Sequence, residues 1–549
     1  MILRLRQKLK ALLSLIALLR PVVRPDADER KAAPSQELRM RLPRLAEPIL
    51  ALLNQALTQG HTCLPLNEII CRLQSCHSNA PESEILSALG HLNKRGDIRV
   101  RVWQRIGQVS LSHAARAEET IAHGLQQIGR RLRPVKAERV NEWIRLEGEQ
   151  LTDEQRAAIR LLMTAPIAIL TGDPGTGKTA TIKVLTAICE RAGYHIHLTA
   201  PTGRAAARLA EAAGRPAQTL HRLLHNHQPR QRTLRDLIVG RPPEVVIVDE
   251  ASMLDVFLAE RLVRYCSPRT RLIFVGDVHQ LPPVGPGQVL QDLIASGCLP
   301  VVELTTRFRQ SEQSRITAAA RDIKAGRVPE LPAPGKAKAD CYFIEADNVT
   351  EIQQLVVNAA TRSLPVRCGA NPYRDVQILT PMRNGALGTV VLNYLVRRAS
   401  DKAITSEQSP FAAGDRVLQT RNNYRLGLFN GECGFVEEVA DKTTQVRFGN
   451  RLVTYQQAFH ADLLHGFAIT IHRSQGSEYP FVIIPVHESQ NVMLTRELLY
   501  TALTRGRQMV VLIGSRRAFA RAVSLTNSHR LTGLSSLLSP SAPGPGKAA

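Results

Sequence analysis

The residues Thr171-Gly-Asp-Pro-Gly-Thr-Gly-Lys-Thr179 follow the apolar run Pro166–Leu170 and open a helical pattern. Strand, glycine-rich turn and helix start are what a triphosphate cradle requires. Loop N–H groups point at the phosphates, and the positive end of the helix dipole adds to the attraction. Gly172, Gly175 and Gly177 allow the turn its dihedrals and a close backbone approach. Asp173, Pro174 and Thr176 complete the loop. Lys178 is spaced to reach the β- and γ-phosphates of ATP, and the Thr179 hydroxyl to hold Mg²⁺. A chance glycine-rich turn would not carry the full G-x4-G-K-T spacing with these flanks.

Two further apolar runs end in polar groups. Val245-Val-Ile-Val-Asp-Glu250 places two carboxylates where a buried strand presents its ligands. Asp249 is set to share the Mg²⁺ with Thr179, and Glu250 to orient or deprotonate an attacking water. Leu272-Ile-Phe-Val-Gly-Asp277 continues to Gln280, which is placed to sense the γ-phosphate, with Asp277 in support. His225-Asn-His227 spells a nuclease motif without the surrounding ββα framework, and reads as loop.

These residues need a scaffold of parallel strands. From about residue 150, apolar strands alternate with helices, the signature of a parallel α/β sheet. Candidate buried strands are 167–170, 195–199, 245–248 and 272–275. A second series begins near Val301, with 376–380, 481–485 and 509–513. Between its members, 414–420, 432–439 and 445–448 read as short strands joined by Asn/Gly turns, a small barrel rather than more α/β. Upstream, residues 41–140 are mostly helical, and Ile98–Ile106 alternates as a strand with Arg on one face, suggesting a winged-helix-like module. The resulting division is a basic segment and linker at 1–40, a helical/winged-helix-like domain at 41–140, and a first motor domain at 141–300 with a short insertion at about 225–243. A second motor domain follows at 301–535 with a barrel insertion at about 410–465, then a disordered tail at 536–549.

At 549 residues the chain exceeds a single core. Its 71 Lys and Arg against 48 Asp and Glu leave a net charge of +23, which points to a polyanionic partner. The nine cysteines are scattered with no C-x2-C pair, so neither a zinc ribbon nor a disulfide frame is encoded, and a reducing, cytoplasmic setting is expected. Cys71, Cys76 and His77 cluster in a helical stretch and read as core filler. The first twenty residues carry a nine-residue apolar run, too short for a stable membrane span. They read either as a basic amphipathic helix or as a targeting or membrane-surface segment.

In combination these motifs resemble the motor of superfamily 1 helicases, and more narrowly the RecD-like branch, over residues 45–515. The resemblance implies an α/β fold of two RecA-like domains with an SH3-like insertion at Gly414–Ala461. It makes Gln155, in Leu151-Thr-Asp-Glu-Gln155, the adenine contact. Arg309, in Arg307-Phe-Arg-Gln310, becomes a γ-phosphate contact, and Arg505, closing Leu499-Tyr-Thr-Ala-Leu-Thr-Arg505, a second arginine finger. Single-stranded DNA would touch Pro201 and Thr202, His221, Thr380 and Met382, and His472 and Gln475, with Glu478 on the nucleotide side. His225–Pro243 falls where the family carries a strand-splitting hairpin. The helix-hairpin-helix region of longer relatives has no counterpart upstream. The implied activity is an ATP- and Mg²⁺-dependent DNA helicase or translocase moving 5′→3′ on single strands or tailed duplexes, in repair or recombination. The alternative is a DNA-stimulated ATPase subunit regulating a nuclease or conjugation complex without unwinding alone.

Overall fold

The computed structural model describes residues 43–539 except 77–79, 104–105, 133–134, 226–243, 307–313, 336–337, 400–408, 424, 441 and 527–529. The basic segment and linker, His77, His227, Arg309 and the candidate hairpin beyond His225 lie outside the described residues. His225 itself ends a helix.

The N-terminal unit runs α1 (Ala46–Thr58), β1 (Leu64–Pro65), α2 (Leu66–Cys76), α3 (Glu82–Arg95), β2 (Ile98–Trp103) and β3 (Ile106–Leu111). The strands form an antiparallel sheet in the order β1-β3-β2, the helix–strand–helix–helix–hairpin sequence of a winged helix. Its core is built from Ile49, Leu53, Ile69, Leu89, Ile98 and Val109. The alternating run anticipated over 98–106 is two strands: β2 ends at Trp103, and Ile106 opens β3 in register with it. Cys71 and Cys76 are exposed, which corrects their reading as core filler.

Helix α4 (Ser112–Leu125) leaves this unit, and α5 (Ala137–Glu147) and α6 (Asp153–Thr164) lead into the first lobe. That lobe comprises β4 (Ile167–Gly172), α7 (Lys178–Arg191), β5 (His195–Ala200), α8 (Gly203–Ala213), β6 (Ala217–Thr219), α9 (Leu220–His225), β7 (Glu244–Val248), α10 (Val256–Tyr265), β8 (Thr270–Gly276), α11 (Val289–Ala295) and β9 (Val301–Leu304). All strand pairs are parallel, in the order β6-β5-β7-β8-β4-β9. Helices cover both faces, so β4, β7 and β8 are buried almost continuously rather than in alternation. Strand β9 pairs with β4, so the first lobe extends through Leu304 and the boundary anticipated at 300 shifts.

The second lobe contains α12 (Arg315–Lys324), β10 (Cys341–Glu345), α13 (Val349–Asn358), β11 (Val376–Thr380) and α14 (Thr389–Arg398). The barrel strands follow: β12 (Arg416–Gln419), β13 (Cys433–Val439), β14 (Thr443–Phe448), β15 (Arg451–Gln456) and β16 (Leu463–His465). The lobe closes with β17 (Ala468–Thr470), β18 (Tyr479–Val486), α15 (Arg496–Leu503), β19 (Gly506–Gly514) and α16 (Arg516–Ser524). Its sheet is parallel, β10-β19-β18-β11-β17. The insertion is an antiparallel sheet, β15-β14-β13-β12-β16, with its own core of Val417, Val436, Val446, Phe448 and Tyr455. A final helix, α17 (Leu534–Leu538), packs on α4 and α11 with Leu534 buried. Ordered chain therefore runs past 536, where the tail is expected to begin. Among the described residues no helix is long and apolar enough to cross a membrane.

Candidate active site between the two lobes

At the C-terminal end of β4 the chain turns through the glycine-rich loop into α7. Gly177 caps α7 from the left-handed region at φ +83°, a conformation glycine adopts without steric cost. A Cβ on Gly172 would lie 2.7 Å from the Leu304 carbonyl oxygen, so only glycine fits against β9. Lys178 Nζ folds back into the loop and donates to the carbonyls of Gly172 and Asp173. Thr176 Oγ1 donates to the Asp173 carbonyl at 2.8 Å. Gln155 is fixed by a capping box: Thr152 N donates to its Oε1 at 3.1 Å, and its own N–H donates to Thr152 Oγ1. This pose brings its Nε2 to 3.5 Å from the Gly177 carbonyl, directly on the loop.

Asp249 and Glu250 leave β7 facing the loop. The Glu250 N–H donates to Asp249 Oδ1 at 2.9 Å, and the Asp249 N–H to the Thr199 carbonyl at 2.9 Å. Burial and the neighbouring Glu250 carboxylate push the Asp249 carboxyl up to about 6, with Lys178 and Arg208 pulling the other way. Glu250 has φ +52°, the only non-glycine residue with positive φ among those described. Such a conformation costs on the order of 1 kcal/mol and persists where the surroundings fix it.

Asp277 follows directly on β8, is 1% exposed and accepts from the His279 N–H at 2.9 Å and from Gln280 Nε2 at 3.4 Å. Gln280 is buried, and among the described residues its Oε1 has no partner. The second lobe meets these groups. Arg505, 2% exposed, hangs on the last turn of α15: Nε donates to the Thr501 carbonyl at 3.1 Å and Nη1 to that of Ser477 at 3.2 Å. Its third bond goes to Thr504 Oγ1, so among the described residues no carboxylate neutralises it. Glu478 accepts from Arg208 of α8 and, at 2.7 Å, from Arg507.

One cleft of about 820 Å³ gathers these side chains. Gln155, Pro174, Gly175, Gly177, Lys178, Thr179, Asp249, Glu250 and Gln280 line it from the first lobe, and Glu478 and Arg505 from the second. Thr179 and Asp249 share this wall, an oxygen donor set suited to a hard divalent cation.

The anticipated DNA contacts divide. His221 is exposed, and Pro201, Thr202, Met382 and His472 are half-buried; Thr202 also caps α8 through Oγ1. Thr380 and Gln475 lie deeper. Thr380 is fully buried and donates to the Leu387 carbonyl at 2.6 Å, and Gln475 is 3% exposed and donates to the Leu281 carbonyl at 3.3 Å. Both side chains are committed to holding loops. Beside them, Arg383 and Arg473 lie close enough that repulsion, after burial, lowers the Arg473 affinity for its proton.

Sequence reasoning missed Tyr500, Thr501, Lys324 and Arg204. The Tyr500 hydroxyl bonds both Asp173 and Asp277, Thr501 Oγ1 accepts from Leu281 N, and Arg204 donates to Tyr479 OH at 2.9 Å. Tyr500 and Thr501 stand inside the motif that ends at Arg505, but their partners are more than 200 residues away.

Comparison with known proteins adds three family matches: an AAA domain over residues 150–339, an ATP-dependent RecD-like DNA helicase SH3 domain over 387–448, and a UvrD-like helicase C-terminal domain over 465–513. The chain is 34% identical over 441 residues to the ATP-dependent RecD2 DNA helicase of Deinococcus radiodurans, covering 78% of this chain and 58% of that protein. It is 33% identical over 426 residues to the RecBCD enzyme subunit RecD of Mycolicibacterium smegmatis, covering 71% and 75%. Among solved structures, two coordinating Pif1 helicases at forked double-stranded DNA align with a TM-score of 0.42 and 23% identity, over 66% of this chain and 92% of that one, a likeness too loose to bear on the site.

Proposed function

The chain belongs to the RecD-like family of superfamily 1 DNA helicases, and from that premise we propose that it is an ATP-dependent DNA helicase or translocase. The observation that carries the reading is the single cleft to which both lobes contribute, with Lys178 and Asp249 on one wall and Arg505 on the other.

Lys178 neutralises the β- and γ-phosphates, and Gln155 holds the adenine end beside the loop. Glu250 orients the attacking water, Gln280 Oε1, without a partner among the described residues, accepts from that water, and Gln280 Nε2 donates to the γ-phosphate. Thr179 and Asp249 would hold Mg²⁺, which when bound spreads charge over the β- and γ-oxygens. Arg505 reaches transition-state charge from the second lobe, a contribution on the order of 10³–10⁵ in rate for such a finger. Arg309 is proposed as its companion. Because the guanidinium arrives from a separate lobe, nucleotide state is coupled to lobe closure, and repeated closure over a strand is translocation.

Single-stranded or tailed duplex DNA is the proposed partner, and 5′→3′ the proposed polarity, in repair or recombination in the cytoplasm. The chain spans about three fifths of the Deinococcus helicase and three quarters of the mycobacterial RecD. Its likeness to a RecBCD subunit supports a nuclease or recombination complex as the proposed setting. Strand separation on 5′-tailed and 3′-tailed duplexes with the isolated chain is the test. ATP-dependent unwinding of the 5′-tailed substrate alone is expected. Preference for the 3′ tail would overturn the polarity. ATP hydrolysis stimulated by single strands without separation of either substrate would instead favour a regulatory ATPase subunit.

A further inference from the structure

Tyr500 is 1% exposed and sits on α15, five residues before Arg505. Its hydroxyl lies 3.1 Å from Asp173 Oδ1 in the phosphate loop and 2.9 Å from Asp277 Oδ2 at the end of β8. A phenol has one proton, and here two carboxylates of the first lobe face it. Asp173 also meets a cation, Lys324 of α12, whose Nζ is 3.1 Å from the same Asp173 oxygen. Burial and both carboxylates hold the phenol well above its ordinary range, so the hydroxyl remains a donor at any neutral assay pH.

The neighbouring residue repeats the connection, because Leu281 N donates to Thr501 Oγ1 at 3.1 Å. One turn of α15 is thus pinned to the first lobe at both the phosphate loop and the Asp277–Leu281 loop. Arg505 is bonded through Nε to the Thr501 carbonyl of that turn. We propose that Tyr500 is a positioning residue: its hydroxyl, shared between Asp173 and Asp277, sets the register in which α15 delivers Arg505 to the nucleotide. Lys324 offsets the charge of Asp173, and the His279 N–H and Gln280 Nε2 occupy Asp277 beside the hydroxyl. Any movement of the phosphate loop on hydrolysis then reaches α15 through a direct hydrogen bond, without passing through the sheet.

This inference rests on the motor reading above, and the experiment separates the two. Wild-type and Tyr500→Phe chains are compared for single-strand-stimulated ATP hydrolysis, for Kd of a fluorescent ADP analogue, and for Tm. The phenylalanine keeps the ring packed and removes only the hydroxyl. Expected is a loss of roughly tenfold in kcat, the scale of one misplaced charge-assisted contact, with the ADP-analogue Kd and Tm close to wild type. Asp277→Asn with Tyr500→Phe should lose no more than the worse single variant, since both cut the same connection. Wild-type kcat in Tyr500→Phe overturns the inference while leaving the motor reading intact. A rise in Kd together with falls in kcat and Tm overturns it in favour of a purely structural role. No hydrolysis by the wild-type chain overturns the motor reading itself.

Discussion

Lys178 and Arg505 sit on opposite walls of one cleft, and their substitutions should fail in different ways. Lys178→Ala removes the ammonium that the phosphate loop holds against its own carbonyls, so ATP turnover should fall at least a thousandfold. Anisotropy of a labelled single strand should stay within a few-fold of wild type; loss of both would mean that the residue supports the fold instead. Arg505→Ala should retain the nucleotide and lose roughly 10³ in kcat, measured as turnover against fluorescent-nucleotide binding. The alanine also strands the Ser477 carbonyl in a buried site, at about 1–3 kcal/mol, while the Thr501 carbonyl keeps Thr504 Oγ1 as donor. Arg505→Lys is the control, because it keeps the charge without the planar fork. Its Tm should recover while kcat remains low, and a recovered kcat would show that charge alone suffices.

Segments far apart in sequence decide how the elements lock together. After α16 the chain returns to the first lobe. Arg530 donates to the carbonyls of Pro283, Gly285 and Gly287 at 2.6–2.8 Å, Thr532 Oγ1 to Asp292 of α11 at 2.8 Å, and Gly533 N to Glu118 of α4 at 2.9 Å. Glu118 also takes Thr62 Oγ1 and faces Arg101 at 3.6 Å. Burial pushes the Asp292 carboxyl up to about 7, with Glu118 adding to it, and raises Glu118 as well. A raised carboxyl takes up its proton on folding, so its stabilising contribution is complete below about pH 4 and is lost as pH rises through about 7. Asp292→Asn should therefore raise stability by about 1–3 kcal/mol at pH 8 and by less at pH 5.5, read as the Tm difference from wild type. An equal difference at both pH values would remove the buried carboxylate as its source. None of this junction was legible beforehand, since Arg530 and Thr532 carry no motif and lie just before an anticipated tail. The phosphate loop and the strands β4, β7 and β8 were legible because their chemistry is local: period, glycine spacing and strand-end acids lie within a few residues. Strand β15 was not, because only Val453 and Tyr455 of it are buried, and β9 was misassigned because pairing with β4 leaves no local trace.

For the molecule as a whole, charge matters more than aromatic surface. Only 4% of the residues are aromatic against a net charge of +23, so base stacking has few platforms while phosphate attraction has many. Arg383 and Arg473 come from separate segments of the second lobe, and Arg383 adds to burial in lowering the Arg473 affinity for its proton. Binding to single strands should then be driven by counterion release, with log K falling linearly in log salt at about −0.7 per phosphate contacted. Five contacts give a slope near −3.5, so affinity should drop roughly fiftyfold between 100 and 300 mM salt. Anisotropy titrations of a labelled oligothymidine at four salt concentrations measure this directly. Arg383→Ala and Arg473→Ala should each flatten the slope by about 0.7 if each meets one phosphate. A wild-type slope shallower than about −1 would mean that stacking or buried polar contacts hold the strand, and that the excess positive charge serves another polyanion.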